Sequence, residues 1–368
     1  MAIEYAERIR RIPVYPVAGG YDLGAGVAML ASNESHFPPA DAVVQAAATA
    51  LRGVNRYPDP GYAPLRQALA DRYDIPPSRI ALGNGSCDIL LAAGEALLEP
   101  GAEVVYAWPS FSVYPHLAAA SGARAIQVPL DAQDRHDLAA MAREVTVATR
   151  LVVLCNPNNP TSTALPLSGI ERFLREIPPH VAVILDEAYC EFSLTLGDPD
   201  ASLDLLSRHQ NLVLLRTFSK VYGLAGLRAG YALCGTDTFR TAVDQVRQPF
   251  NLNAVAQAAA VEALRHQDDV ERRVVDTVAG RASLTAGARQ LGLWVAASEA
   301  NFVWIRLTGA TEEDAAEHEA AVVAGLRERG VLVRAGNSLG RAGCLRVTVG
   351  TGPENQRFLA ALGELLGA

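Results

Sequence analysis

From about residue 40 to residue 250 the hydrophobic pattern switches repeatedly between a helical period and short apolar runs. Helical spacing covers 40–52 and 62–73, separated by the turn-rich segment Asn55-Arg56-Tyr57-Pro58-Asp59-Pro60-Gly61. Gly83-Asn84-Gly85-Ser86 then leads into an apolar stretch starting at Asp88, a loop feeding a helix N-terminus. Apolar runs recur at 103–107, 124–128, 151–155, 181–185, 212–215 and 230–233, and helices are predicted over 111–121, 134–143 and 167–176. Several runs are continuous rather than alternating, the mark of strands covered on both faces by helices. The reading is an α/β region with a mostly parallel or mixed sheet.

Beyond Pro249 the rhythm changes. A long helical stretch over 253–289 precedes a strand at 302–307, a helix at 312–329, strands at 331–334 and 344–349, and a terminal helix at 353–366. This predicts a smaller α/β domain. Residues 36–250 form the expected large domain; 1–35 and 251–368 form the small domain with an N-terminal arm. No internal repeat is evident.

Composition narrows the function classes. Half of the 368 residues are apolar and a fifth are charged. No run approaches the roughly 20 apolar residues that span a bilayer, and the first residues lack a signal-peptide core, so a cytoplasmic location is expected. A net charge of -8 without a basic block argues against nucleic acid as partner. The five cysteines are widely spaced and odd in number, and read as small buried hydrophobes. The seven histidines are scattered, with no pair at i, i+4, so no protein-held metal is expected.

The basic residues are unequally divided: 31 arginines stand against one lysine, Lys220. Codon or mutational bias accounts for the missing lysines but not for the survivor. Arginine cannot supply a primary amine for a Schiff base, because its guanidinium stays protonated. Lys220 follows an apolar run in Thr-Phe-Ser-Lys-Val-Tyr-Gly-Leu-Ala-Gly-Leu-Arg-Ala-Gly, where burial lowers an amine's pKa and Ser219 and Arg228 can donate to a phosphate. The competing reading is a glycine-rich packing turn with an exposed lysine.

Other strand ends carry polar groups, where open α/β sheets place ligands. The Gly85-Ser86 loop would attract an anion to its helix, although a simple capped turn fits as well. It is no dinucleotide fingerprint, because the preceding strand, the glycine spacing and the acidic residue do not line up. Asp186 ends a buried run, where a carboxylate needs a partner such as a protonated pyridine nitrogen. Tyr189 and Asn156 can both reach a ring hydroxyl. A metal-binding pair, Asp186 with Glu187, is the rival reading. Phe111 can cover a flat cofactor or simply pack in a core.

Taken together, these segments resemble the fold-type I, class I/II pyridoxal-phosphate aminotransferases, and especially their histidinol-phosphate branch. The resemblance spans nearly the whole chain: LASNES at 30–35, NRYPDPG at 55–61, GNGSCDIL at 83–90, WPSFSVY at 108–114, CNPNNPT at 155–161, ILDEAYCEF at 184–192, RTFSKVYGLAGLRAGY at 216–231, VRQPFNLN at 246–253 and CLRVTVG at 344–350. It implies a three-layer α/β/α large domain and pyridoxal 5'-phosphate as cofactor. Lys220 would hold it covalently, Asp186 would pair with the ring nitrogen, Asn156 and Tyr189 would contact the ring oxygen, and Phe111 would stack on the ring. Gly85, Ser86, Ser219 and Arg228 would hold the phosphate, with Tyr57 reaching it from a neighbouring subunit of a homodimer. Arg346 and Asn33 match positions at the substrate's anionic group, and Tyr15 and Arg334 match positions that recognise histidinol phosphate. The chain departs from the usual pattern at Ser35-His36, at Ser162, and at Phe111, where that branch usually carries tyrosine.

The implied reaction moves an amino group between L-histidinol phosphate and 2-oxoglutarate in ping-pong half-reactions. The nearest alternative is an aromatic amino acid aminotransferase. A phospho-amino-acid decarboxylase, a C–S lyase and a non-enzymatic regulator on the same scaffold are more distant.

Overall fold

The computed structural model describes residues 3–5, 7–12, 26–307 and 311–367. After a short strand β1 (Ala28–Met29), seven strands form one large sheet. They are β2 (Ile80–Gly83), β3 (Glu103–Trp108), β4 (Arg124–Pro129), β5 (Thr149–Cys155), β6 (Ala182–Asp186), β7 (Leu212–Thr217) and β8 (Gly230–Cys234). Their spatial order is β2-β8-β7-β6-β5-β3-β4. All neighbours pair parallel except at β8, which runs antiparallel to both β7 and β2. The C-terminal ends of six strands and the N-terminal end of β8 therefore share one edge of the sheet.

Continuous apolar runs become strands buried on both faces, because successive side chains enter different cores. Val152, Leu154, Val183, Leu185, Leu212 and Leu214 belong to one apolar cluster. Their alternates Leu151, Val153, Ile184, Val213 and Leu215 belong to the other. Fully burying each such side chain is worth about 1.5–3 kcal/mol, so a one-residue slip of β6 would exchange both faces at once.

The later chain builds a second sheet. Strands β9 (Trp294–Val295), β10 (Phe302–Arg306), β12 (Arg334–Ala335) and β13 (Cys344–Thr348) associate in the order β12-β13-β10-β9. Between them, β11 (Val331–Leu332) pairs parallel with β1. This sheet has its own core, with Val303, Ile305, Leu345, Val347 and Phe358. The two parts are clasped by Asp134, a buried side chain on the loop after β4, which pairs with Arg306 at 2.7 Å and with Arg341.

Several elements differ from the sequence expectations: the strand expected at 331–334 is split, Val331–Leu332 pairing with β1 and Arg334–Ala335 with β13, and the helix Leu203–Arg208 and strands β1 and β9 lie outside them. The loop at 83–86 does follow a strand, β2; its four residues are too few to show a period. The stretch 253–289 is two helices, Ala254–Ala263 and Gln267–Gln290, broken without a proline or glycine. A helix at Asp237–Val246, absent from the sequence reading, covers the sheet beside Ser86–Leu97. Among the described residues no helix is long and apolar enough to cross a membrane.

Candidate active site

A cavity of about 350 Å³ opens at the shared edge of the large sheet, where the second sheet meets it. Lys220 lies in its wall, three residues past the end of β7. Its Nζ donates to the carbonyl of Asn33 at 3.0 Å and of Ser32 at 3.3 Å. Burial, and after it the charge of Arg346, pulls the amine down to about 8. A primary amine so placed is partly neutral near neutral pH, the form that attacks a carbonyl.

Asp186 ends β6 one strand away and also faces the cavity. Its Oδ2 accepts from the Tyr114 hydroxyl at 2.8 Å, and its Oδ1 from the Ala188 N–H at 3.3 Å. No ion pair reaches it among the described residues. Burial drives this carboxyl up to about 6. A buried carboxylate in a cavity wall without a cation is suited to a ligand that brings one. Glu187 does not complete a metal pair, for its side chain binds the buried Arg216 at 3.0 Å.

A cup of donors closes the adjacent end. Ser86 begins the helix Ser86–Leu97, and Ser86, Ser219 and Arg228 line the cavity. Arg228 Nη1 donates to Ser219 Oγ at 3.3 Å. Gly85 caps the helix at φ +82°, and a Cβ there would lie 2.3 Å from Arg228 Nη2. Opposite, a Cβ on Gly230 would meet the Ser86 nitrogen at 2.3 Å. Only glycine lets backbone and guanidinium converge so tightly, and free helix N–H groups beside an arginine are a phosphate-binding arrangement.

Tyr189 and Phe111 stand on other walls. The Tyr189 hydroxyl accepts from Asn33 Nδ2 at 3.1 Å, and burial raises its pKa, so it stays a protonated donor. Phe111 meets Tyr114 edge to face, with ring centroids 5.7 Å apart. Asn156 is buried behind the wall; its amide exchanges hydrogen bonds with the Leu165 backbone at 2.7 and 3.2 Å. Tyr57 is 82% exposed, stacked on Phe250, and does not line this cavity. Tyr15 lies outside the described residues.

The second sheet supplies the mouth. Arg334 on β12 is the direct register partner of Arg346 on β13, and both are buried and line the cavity. Arg346 donates to Asn159 Oδ1 at 2.7 Å and to the Ala31 carbonyl at 2.6 Å. Like charges placed opposite each other across a strand pair are destabilising. An anion bound between them would be shared by both guanidiniums. Asn33 sits beside them at φ +54°, held by the Thr348 hydroxyl at 2.9 Å.

Tyr114, Asn159 and Leu339 also face or support this cavity, and sequence reasoning assigned them no role. Tyr114 and Asn159 lie inside two segments that carry the family resemblance, 108–114 and 155–161. Asn159, in the polar turn after β5, had that position as a signal; Tyr114, inside the helix Val113–Ser121, had none.

Comparison with known proteins gives a consistent picture. The family model described as aminotransferase class I and II matches residues 25–362. A histidinol-phosphate aminotransferase of Cupriavidus pinatubonensis is 43% identical over 359 residues, covering 96% of this chain and 92% of that one. An aromatic amino acid aminotransferase of Thermobifida fusca is 45% identical over 332 residues, covering 90% and 88%. The crystal structure of histidinol-phosphate aminotransferase from Sinorhizobium meliloti, in complex with pyridoxal-5'-phosphate, superposes with a TM-score of 0.86 at 29% identity. That match covers 100% of this chain and 98% of the other.

Proposed function

The chain belongs to the class I and II aminotransferases, and from that premise we propose that it exchanges an amino group between L-histidinol phosphate and 2-oxoglutarate. The family's cofactor is pyridoxal 5'-phosphate. When bound, it supplies a carbonyl that takes the substrate's nitrogen and a ring that accepts the electron pair left by a departing proton.

The residues fit that group. Lys220 would hold it covalently and would give way to the amine substrate. The freed Lys220 amine removes the proton from the carbon bearing the substrate nitrogen, and later returns one. Asp186, in the cavity wall, would pair with the ring nitrogen, and Phe111 would cover the ring. Tyr189 donates to the ring oxygen, as does the amide hydrogen of Asn156 not committed to Leu165. Gly85, Ser86, Ser219 and Arg228 hold the phosphate. Arg346 and Asn33 orient the substrate's anionic end, and Tyr15 and Arg334 complete its recognition.

The substrate reading rests on one observation: two buried arginines, Arg334 and Arg346, are register partners on adjacent strands and both line the cavity. Two planar forks suit a phosphate dianion better than a single carboxylate. Arg346 also serves the carboxylate of 2-oxoglutarate in the second half-reaction. An aromatic amino acid is the second reading, favoured by the 45% identical Thermobifida fusca relative and by the apolar Phe111 and Leu339 in the wall.

The exposed Tyr57, stacked on Phe250, supports a homodimer in which each subunit lends this tyrosine to its partner's phosphate cup; a cytoplasmic location belongs to the same proposal. Separate apolar cores support two domains, a cofactor domain expected at 36–250 and a substrate domain expected at 1–35 with 251–368, but Leu252, Ala256, Ala259, Ala260 and Ala263 pack in the core of the large sheet, so the cofactor domain extends past 250 through the helix Ala254–Ala263.

Single-turnover half-reactions decide between the substrates. The holoenzyme is mixed with histidinol phosphate, phenylalanine, tyrosine or tryptophan, and conversion of the cofactor to its amine form is followed by absorbance. Histidinol phosphate should react with the highest kcat/KM, by about tenfold or more. A preference for phenylalanine would establish the aromatic reading instead.

A further inference from the structure

We propose that Tyr114 is a positioning residue of this site: it holds Asp186 ionised, so that a proton shared with the ring nitrogen stays on the ring, and its ring edge fixes Phe111. This deepens the reading above and rests on Asp186 facing the ring nitrogen. Tyr114 is the second residue of the helix Val113–Ser121 and is fully buried. Its hydroxyl lies 2.8 Å from Asp186 Oδ2, and its ring meets Phe111 at 88°. One side chain thus touches the two groups assigned to the cofactor ring.

The direction of the hydrogen bond is set by its neighbours. Cys155 also lies beside the Tyr114 hydroxyl, but burial pushes its thiol up to about 12, so it carries no charge. Its Sγ–H is directed to the Pro157 carbonyl at 3.4 Å. The Tyr114 hydroxyl, whose own pKa is raised by burial and by Asp186, remains protonated and donates to the carboxylate. The other donor is the Ala188 N–H at 3.3 Å, a longer contact.

The consequence is electrostatic. Burial makes Asp186 a stronger base, and the Tyr114 hydrogen bond is the first of the effects that oppose it. Glu187 strengthens the base and Lys220 weakens it. A carboxylate that is too basic takes the proton from a pyridine nitrogen, leaving a neutral ring that accepts electrons poorly. A hydrogen bond to the ionised form prevents this. Tyr114→Phe removes only the hydroxyl and retains the edge contact with Phe111.

The test uses holoenzyme loaded with cofactor labelled with 15N in the ring, in wild type, Tyr114→Phe, Asp186→Asn and the double variant. Two quantities are read: the ring-nitrogen chemical shift, which reports protonation, and the single-turnover rate of proton removal. In Tyr114→Phe the shift should move toward the unprotonated value and the rate should fall about tenfold, the effect of one pKa unit. Adding Tyr114→Phe to Asp186→Asn should change the rate less than about twofold, because the hydroxyl acts through the carboxylate. A wild-type shift in Tyr114→Phe, or an equal slowing in the Asp186→Asn background, would overturn the proposal. If Asp186→Asn alone leaves shift and rate unaltered, the assignment of Asp186 to the ring nitrogen fails first. Should Tyr114→Phe not fold, 3,5-difluorotyrosine at position 114 is a stronger donor of nearly the same shape. The ring nitrogen should then hold or gain protonation; movement toward the unprotonated value refutes the idea.

Discussion

The floor and the mouth of the cavity are built on different principles. The floor comes from consecutive strand ends of one sheet, between Gly83 and Gly230, and its positions are set by backbone geometry. Gly85 and Gly230 leave room for Arg228 and Ser86, and Asp186 and Lys220 stand at the ends of adjacent parallel strands. The mouth joins segments some 300 residues apart: Asn33 to Thr348, and Arg346 to the Ala31 carbonyl. Here side chains bridge two sheets, and two like charges face each other. A floor tied to a doubly covered sheet is rigid and general to the chemistry. A mouth assembled across two cores can be retuned for a different substrate without disturbing the floor.

This contrast can be broken most severely at Lys220. Lys220→Ala should abolish the visible absorbance of the lysine-linked cofactor and lower turnover with every substrate by about 10,000-fold. Full activity in that variant would remove the floor from the chemistry altogether.

The mouth should respond selectively. Arg346→Gln should reduce kcat/KM for histidinol phosphate and for 2-oxoglutarate by about a hundredfold, with the cofactor absorbance unchanged. Arg334→Gln should cost about tenfold with histidinol phosphate and much less with an aromatic amino acid. Equal losses on both substrates would show that the second guanidinium does not read a phosphate.

The smallest effect sharpens the floor. The Lys220 amine sits near 8 before cofactor is attached. Protonated amine does not attack a carbonyl, so covalent attachment to the cofactor-free enzyme should slow about tenfold for each pH unit below 8 and level off above it. An ordinary lysine would keep accelerating toward about 10.4. Stopped-flow absorbance against pH separates the two.

Much of the floor is readable in the chain because its groups come directly after apolar runs. A buried run such as Val181–Leu185 has one meaning in an α/β pattern, and the next residue along the chain lies at the ligand edge. Asp186 is found in this way; Ser219 and Lys220 lie a few residues beyond β7, and Lys220 stands out as the single lysine. Strand β2 is not, since Ile80–Gly83 is defined by its antiparallel pairing with β8 rather than by periodicity. The helix break at Arg265-His266 carries no local stop signal either. Tyr114 illustrates a harder case: the segment 108–114 stands out in the sequence, but nothing local says that its last tyrosine reaches a carboxylate 72 residues on.

The sequence by itself determined the alternation of elements, the sole side-chain primary amine able to form a Schiff base, and the order of polar groups at the strand ends. These depend on local period and side-chain chemistry, which travel with the residues. The tertiary structure alone decided that Arg334 faces Arg346, that Asn159 braces Arg346, and that Tyr114 meets Asp186. Such contacts depend on register between strands and on the packing of two cores, which no stretch of chain specifies in isolation.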